Sequence, residues 1–110
     1  MRQITSDAID AFENFENFKR SNTQCVNTHV GVNLYLHGNL IAFKSLRGRM
    51  ITVTLAGYNT RTTRERLNGI SGVHIICRNG QAFIKDGSSY QSIEDNEEIV
   101  LDENRNIIKS

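Results

Sequence analysis

Four side chains have the chemistry of metal ligands: Cys25 and His29, and further along His74 and Cys77. Thiolate and imidazole bind zinc, and four of them make a structural site. The second pair fails on geometry. Val73 to Arg78 reads as a strand, where positions three apart point to opposite faces, so His74 and Cys77 diverge. Cys77 shares its predicted face with Val73 and Ile75, as a core residue would. Glu94, Asp95, Glu97 and Glu98 cluster, but in a weakly patterned stretch that reads as a solvated acidic loop. The histidines are scattered, with His29 near a loop, His37 at a turn and His74 in a strand. None has a visible partner that would make it a catalytic base. No serine stands in a nucleophile elbow, and the glycines punctuate turns without forming a phosphate-binding loop. The chain is therefore expected to hold no metal and no cofactor, and to be no enzyme.

Charge is the more unusual feature. The net charge of +1 is a cancellation. Lys19 to Lys85 carries ten basic residues against one acid, Glu65, while residues 1–18 sum to −3 and residues 86–110 to −5. The cations gather in Lys44, Arg47 and Arg49, and again in Arg61, Arg64 and Arg66. Arginine suits bidentate contact with phosphate or carboxylate, so these six are the candidate binding residues for a nucleic acid or an acidic partner. The competing reading is an acidic end folded over the basic middle, neutralising it.

The elements that would position these groups follow from hydrophobic spacing. Thr5 and Ser6 can cap a helix to about Phe18, with Ile9, Phe12, Phe15 and Phe18 as its apolar stripe. Lys19 to Thr28 reads as a polar loop. Val30, Val32, Leu34 and Leu36 alternate along a strand, His37-Gly38-Asn39 turns, and Leu40 to Lys44 returns. Ser45 to Gly48 is a basic connector, and Met50 to Ala56 a third strand. Asn59 or Thr60 can cap a short helix to Asn68, ended by Gly69 in a left-handed conformation. Val73 to Arg78 and Gln81 to Lys85 flank Asn79-Gly80, a strong hairpin signal. Ser88 to Asn96 is polar, and a short extra strand is expected near 98–101.

The expected fold is α+β: a single antiparallel sheet, with an N-terminal helix and a short central helix on one face, in the order α-β-β-β-α-β-β. Residues 1–87 form the domain and 88–110 a partly ordered acidic C-terminal segment. At 110 residues there is room for one core. Cys25 and Cys77 are expected as reduced thiols, one of them buried. With no apolar run of about 20 residues and no signal-peptide pattern, the expected compartment is the cytoplasm.

Ile51 to Ile70, ITVTLAGYNTRTTRERLNGI, resembles a segment of small accessory proteins of tailed bacteriophages and prophages. Leu34 to Ala42, LYLHGNLIA, and the Gly72 to Ile84 hairpin are similar to the segments around it there. Tyr58 stands where that family often has Trp, and residues 88–110 replace its shorter end. The resemblance implies a phage protein acting in the host bacterial cytoplasm, and it carries over no activity and no site residues.

Two functions are expected from these features. The first is binding of a host or phage protein by a non-enzymatic accessory protein. The alternative is nucleic-acid binding through the basic 44–66 region. The helix from Arg61 followed by an Asn-Gly hairpin resembles a recognition helix and wing, but a strand precedes it where a helix-turn-helix needs a helix. An exposed sheet edge would also allow a homodimer. No membrane contact is expected.

Overall fold

The structure is a computed structural model and describes residues 2–109. Among them the elements run α1 (Gln3–Glu13), β1 (Phe18–Arg20), β2 (Thr23–Asn27), β3 (Gly31–Leu36), β4 (Asn39–Ser45), β5 (Ile51–Val53), α2 (Arg61–Asn68), β6 (Ile75–Arg78), β7 (Gln81–Asp86), β8 (Ser89–Ile93), β9 (Ile99–Leu101) and β10 (Ile107–Lys109). The fold is α+β, with a large antiparallel sheet, an N-terminal helix and a short central helix. The large sheet has the order β1-β2-β3-β4-β5-β9-β10, and β6-β7-β8 form a second antiparallel sheet of three strands.

Side-chain alternation decides which face of the large sheet is dry. The register aligns Cys25, Leu34, Ala42, Val53 and Ile99 across five strands, and all five are buried. The parallel outer row is Val26, Asn33, Phe43, Thr52 and Val100, none of them buried. From the small sheet, Ile75, Ala82, Ile84 and Ile93 enter the same core, together with Ala8, Ile9 and Phe12 of α1 and Leu67 of α2. Each buried Ile, Leu or Phe contributes about 1.5–3 kcal/mol, so this shared interior joins the two sheets.

Several elements differ from their expected bounds for physical reasons. α1 begins at Gln3, and the Thr5 side chain caps nothing; it is buried and turned toward α2. The helix ends at Glu13, and Phe15 takes a left-handed φ of 56°, so Phe15 and Phe18 pack on the core from outside the helix. The expected polar loop 19–28 contains β2 and the end of β1; the inward positions of β2, Thr23 and Cys25, are small and leave little hydrophobic signal. Residues 88–96 contain β8, and residues 88–110 supply Ile93, Ile99 and Leu101 to the core.

The α2 cap is as expected, with the Thr63 N–H donating to Thr60 Oγ1 at 3.1 Å. Gly69 is not left-handed; it continues the helical conformation with φ −72°. A Cβ there would lie 2.8 Å from Ile9 Cγ1 and 3.0 Å from Thr5 Cγ2, so the residue is small because α1 crosses it. The 79–80 hairpin has φ of 53° and 80°, both left-handed, as a two-residue primed turn requires.

Candidate binding surface

The six candidate cations do not share a surface. Lys44 is only 4% exposed and Arg66 only 1%. The expectation that they face a partner is therefore corrected: both are internal, held by polar groups that compensate their burial. Arg66 Nη1 donates to Thr5 Oγ1 at 2.6 Å and also to Glu65, and Nε donates to Thr23 Oγ1 at 3.0 Å. Three elements are thereby fastened: α1 through Thr5, α2 through Glu65, and β2 through Thr23. Thr5 in turn donates to Glu65 Oε1. Burial pulls the Arg66 pKa down, with the Glu65 carboxylate opposing it.

Lys44 Nζ donates to Glu13 Oε1 at 2.9 Å and to the Glu13 carbonyl at 3.0 Å, beneath the Phe15 ring at 4.9 Å. Arg105 Nη2 reaches the same Glu13 oxygen at 2.7 Å. Partial burial pushes the Glu13 carboxyl up, but hydrogen bonds from Arg105 and Lys44 outweigh it and hold its pKa below the ordinary value. Of the basic middle, Lys44 and Arg20 are neutralised by α1, Arg20 through Asp7 at 2.7 Å, and Arg66 by Glu65 of its own helix. Among the described residues, no acid of the 86–110 segment forms an ion pair.

The remaining four divide between the ends of β4. Asn39, at its start, lines a groove of about 450 Å³ with Thr60, Thr62 and Thr63, beside which stands Arg61. Ser45, at its end, leads to Arg47 and Arg49. Six residue steps at about 3.4 Å separate these ends by roughly 20 Å. Arg47, Arg49 and Arg61 are exposed, while Arg64 folds back onto the Asn59 carbonyl at 3.1 Å.

A different surface brings binding chemistry together. On the small sheet the outward positions are His74, Ile76, Arg78, Gln81, Phe83, Lys85, Tyr90 and Ser92, because Ile75, Ala82, Ile84 and Ile93 point inward. Ile76 lies opposite Phe83, and Lys85 opposite Tyr90. Ile76, Arg78, Phe83 and Tyr90 line a hollow of about 400 Å³. Tyr90 is 43% exposed and meets His74 edge-on at 6.0 Å between ring centres. An apolar floor with an exposed ring and a guanidinium at its margin is the composition of a protein-contact centre.

The family model for the Kyanoviridae Gp96 protein matches residues 1–106. The chain belongs to that family. It is a phage protein family, in accord with the phage resemblance of the 34–84 segments. Neither a curated protein nor a solved structure matches the chain.

Other expectations for this family member resolve locally. Cys25 is buried, with Sγ 3.3 Å from the Ala8 carbonyl, and burial pushes its thiol pKa up to about 12. Cys77, expected in the core, is exposed: it shares the inward face with Ile75 but lies beside the hairpin tip, beyond the packed interior. Among the described residues, no three His, Cys, Asp or Glu side chains converge as a metal site would need, and no helix is long and apolar enough to cross a membrane. The sequence reading missed Ile76, Phe83 and Tyr90 as a surface. The usable signal was two adjacent strands apolar on both faces, Ile75 with Ile76 and Ala82 with Phe83.

Proposed function

We propose that this phage-family protein works by binding rather than by catalysis, and that it grips a host or phage protein through the outer face of the three-stranded sheet. The observation that carries the reading is the hollow formed by Ile76, Phe83 and Tyr90 with Arg78 at its margin. Tyrosine and arginine dominate the energetics of protein interfaces, because each combines contact area with a directed polar group. Arg78 and Lys85 give this face positive charge, which selects an acidic patch on the partner and speeds encounter. The site of action is the host bacterial cytoplasm. A non-catalytic role is supported by the perturbed carboxylates: Asp7, Glu13 and Glu65 are each held by cations or hydroxyls that tie elements together.

The test is cross-linking in lysate of infected host cells, comparing the wild type with Tyr90→Ala/Arg78→Glu. One acidic protein captured by the wild type and lost in the variant supports the proposal. Equal capture by both proteins removes this face from consideration. The aromatic hollow with its basic margin would also accept stacked bases, so oligonucleotide titration at low salt runs beside the lysate experiment. Tight binding there that weakens steeply with salt would replace the protein reading with nucleic acid.

A further inference from the structure

The two edges of the small sheet are treated differently. On the β6 edge, the Asn68 side chain donates to the Ile75 carbonyl at 2.9 Å and accepts from the Ile75 N–H at 2.6 Å. That edge is sealed where it would otherwise offer a pairing site. The β8 edge has no such cover. Ser89 to Ser92 are exposed, and β8 carries neither a charge nor a proline, the devices that ordinarily blunt an edge.

Ladder alternation identifies which groups are open. The Lys85 N–H donates to the His74 carbonyl at 2.9 Å, so Lys85 directs its main chain toward β6 and Ile84 directs its main chain toward β8. Ile84 lies opposite Gln91, and Ala82 opposite Ile93. Gln91 and Ile93 therefore bond to β7, while the N–H and C=O of Tyr90 and Ser92 point away from the sheet. Among the described residues, β8 pairs with β7 alone, so no ladder bond reaches those four groups.

We infer that β8 pairs antiparallel with β8 of a second copy of this chain, about a two-fold axis at Gln91, making one continuous six-stranded sheet. In that register Tyr90 faces Ser92 of the other copy, and the outward N–H and C=O groups of both residues are satisfied on both chains. Strand length selects this register over its neighbours. Centred on Gln91, the whole of β8 is paired, Ser89 with Ile93 and Tyr90 with Ser92. Centred on Tyr90, Ser92 would face Ser88, which belongs to the turn from β7, and Ile93 would have no strand residue opposite it. Centred on Ser92, Tyr90 would face Glu94, whose own N–H and C=O are already bonded to Glu97. The assembly also sets two copies of the Ile76–Phe83–Tyr90 face side by side. The inference does not depend on what that face binds.

Light scattering over a concentration series should show twice the 12.5 kDa chain mass. Ser92→Pro removes an N–H that points outward, so it leaves the β7 ladder intact and should raise the dimer dissociation constant at least about ten-fold. Gln91→Cys in a Cys77→Ser background places two thiols about 4.5 Å apart at their Cα atoms on the axis, and should cross-link under mild oxidation. A single 12.5 kDa species throughout the series overturns the inference. A dimer that Ser92→Pro leaves intact and Gln91→Cys fails to cross-link overturns it too, whatever other edge is used. Should Ser92→Pro lose its native circular dichroism, the Gln91→Cys result decides alone.

Discussion

The guanidinium of Arg66 lies 2.6 Å from the hydroxyl of Thr5, so a cation of the central helix is grasped by the N-terminal one. The contact spans 61 positions of sequence and belongs to a set that includes Thr23 and Glu65. The interior it joins is apolar, with Leu67, Ile70, Phe12 and Leu36 all buried. A charge in such surroundings is tolerable only while every donor has an acceptor.

Replacing Arg66 by Met keeps much of the volume and removes the donors. Glu65, Thr5 and Thr23 then lose their shared partner; Glu65 is partly exposed and keeps Arg2, so the cost is about 1–3 kcal/mol. Arg61, exposed on the same helix, should change stability by no more than about 0.5 kcal/mol on substitution by Ala. Urea unfolding monitored by circular dichroism compares the two. Matching midpoints for Arg66→Met and wild type would mean that this network does not hold the fold together.

Gly69→Ala sets local propensity against space. Alanine is favoured over glycine in helical conformation by up to about 1 kcal/mol, and the φ of −72° accepts it. The added methyl would nevertheless lie 2.8 Å from Ile9 Cγ1, a branched side chain fixed in the core. Overpacking of this kind costs about 1–3 kcal/mol, so a net loss of stability is expected. A gain in the same urea experiment would show that α1 can shift away from α2.

Position was legible where side-chain type misled. Thr63, Arg66, Leu67 and Ile70 fall at three- and four-residue spacing, the pattern of a buried stripe, and all four are buried. Arg66 was read as a surface cation because its charge was given more weight than its place in that stripe. The 79–80 hairpin, the Thr60 cap and the strands β3, β4, β5 and β9 were readable because glycine, asparagine and alternating aliphatics have strong local preferences. β2 and β8 were hidden because their inward positions include Thr23, Cys25, Gln91 and Ile93, too few of them aliphatic to give an alternating signal, and β1 because its inward Phe18 continues the three-residue spacing of the helix stripe. Lys44 was unreadable for another reason: its partner Glu13, which it shares with Arg105, arrives from a distant segment of the chain.

The two thiols should separate cleanly by reactivity. Cys25, raised to about 12 by burial, remains a protonated thiol through mildly alkaline pH, whereas Cys77 is exposed at the hairpin. The thiolate is the attacking species, so native protein treated with iodoacetamide should gain one label, on Cys77, and a second only on unfolding. Peptide mapping by mass spectrometry reads this directly. Labelling of Cys25 in folded protein would mean that the contact between β2 and α1 opens readily.

Acid sensitivity should trace to Glu13 and Glu65. Both carboxyls have folded-state pKa values below the ordinary 4.5, because the hydrogen bonds and cations around them outweigh partial burial. Below 4.5 the unfolded chain therefore binds more protons than the folded one, and stability falls with pH. Their contribution is complete above 4.5 and disappears as pH drops through the depressed folded values. Glu13→Gln cannot titrate and leaves Lys44 and Arg105 without their carboxylate, so it should be the less stable protein at neutral pH. Its curve of unfolding free energy against pH should be flatter and should converge on the wild type in acid. Two curves falling in parallel would transfer the acid response to other carboxylates and leave the Lys44–Glu13–Arg105 cluster without a role in it.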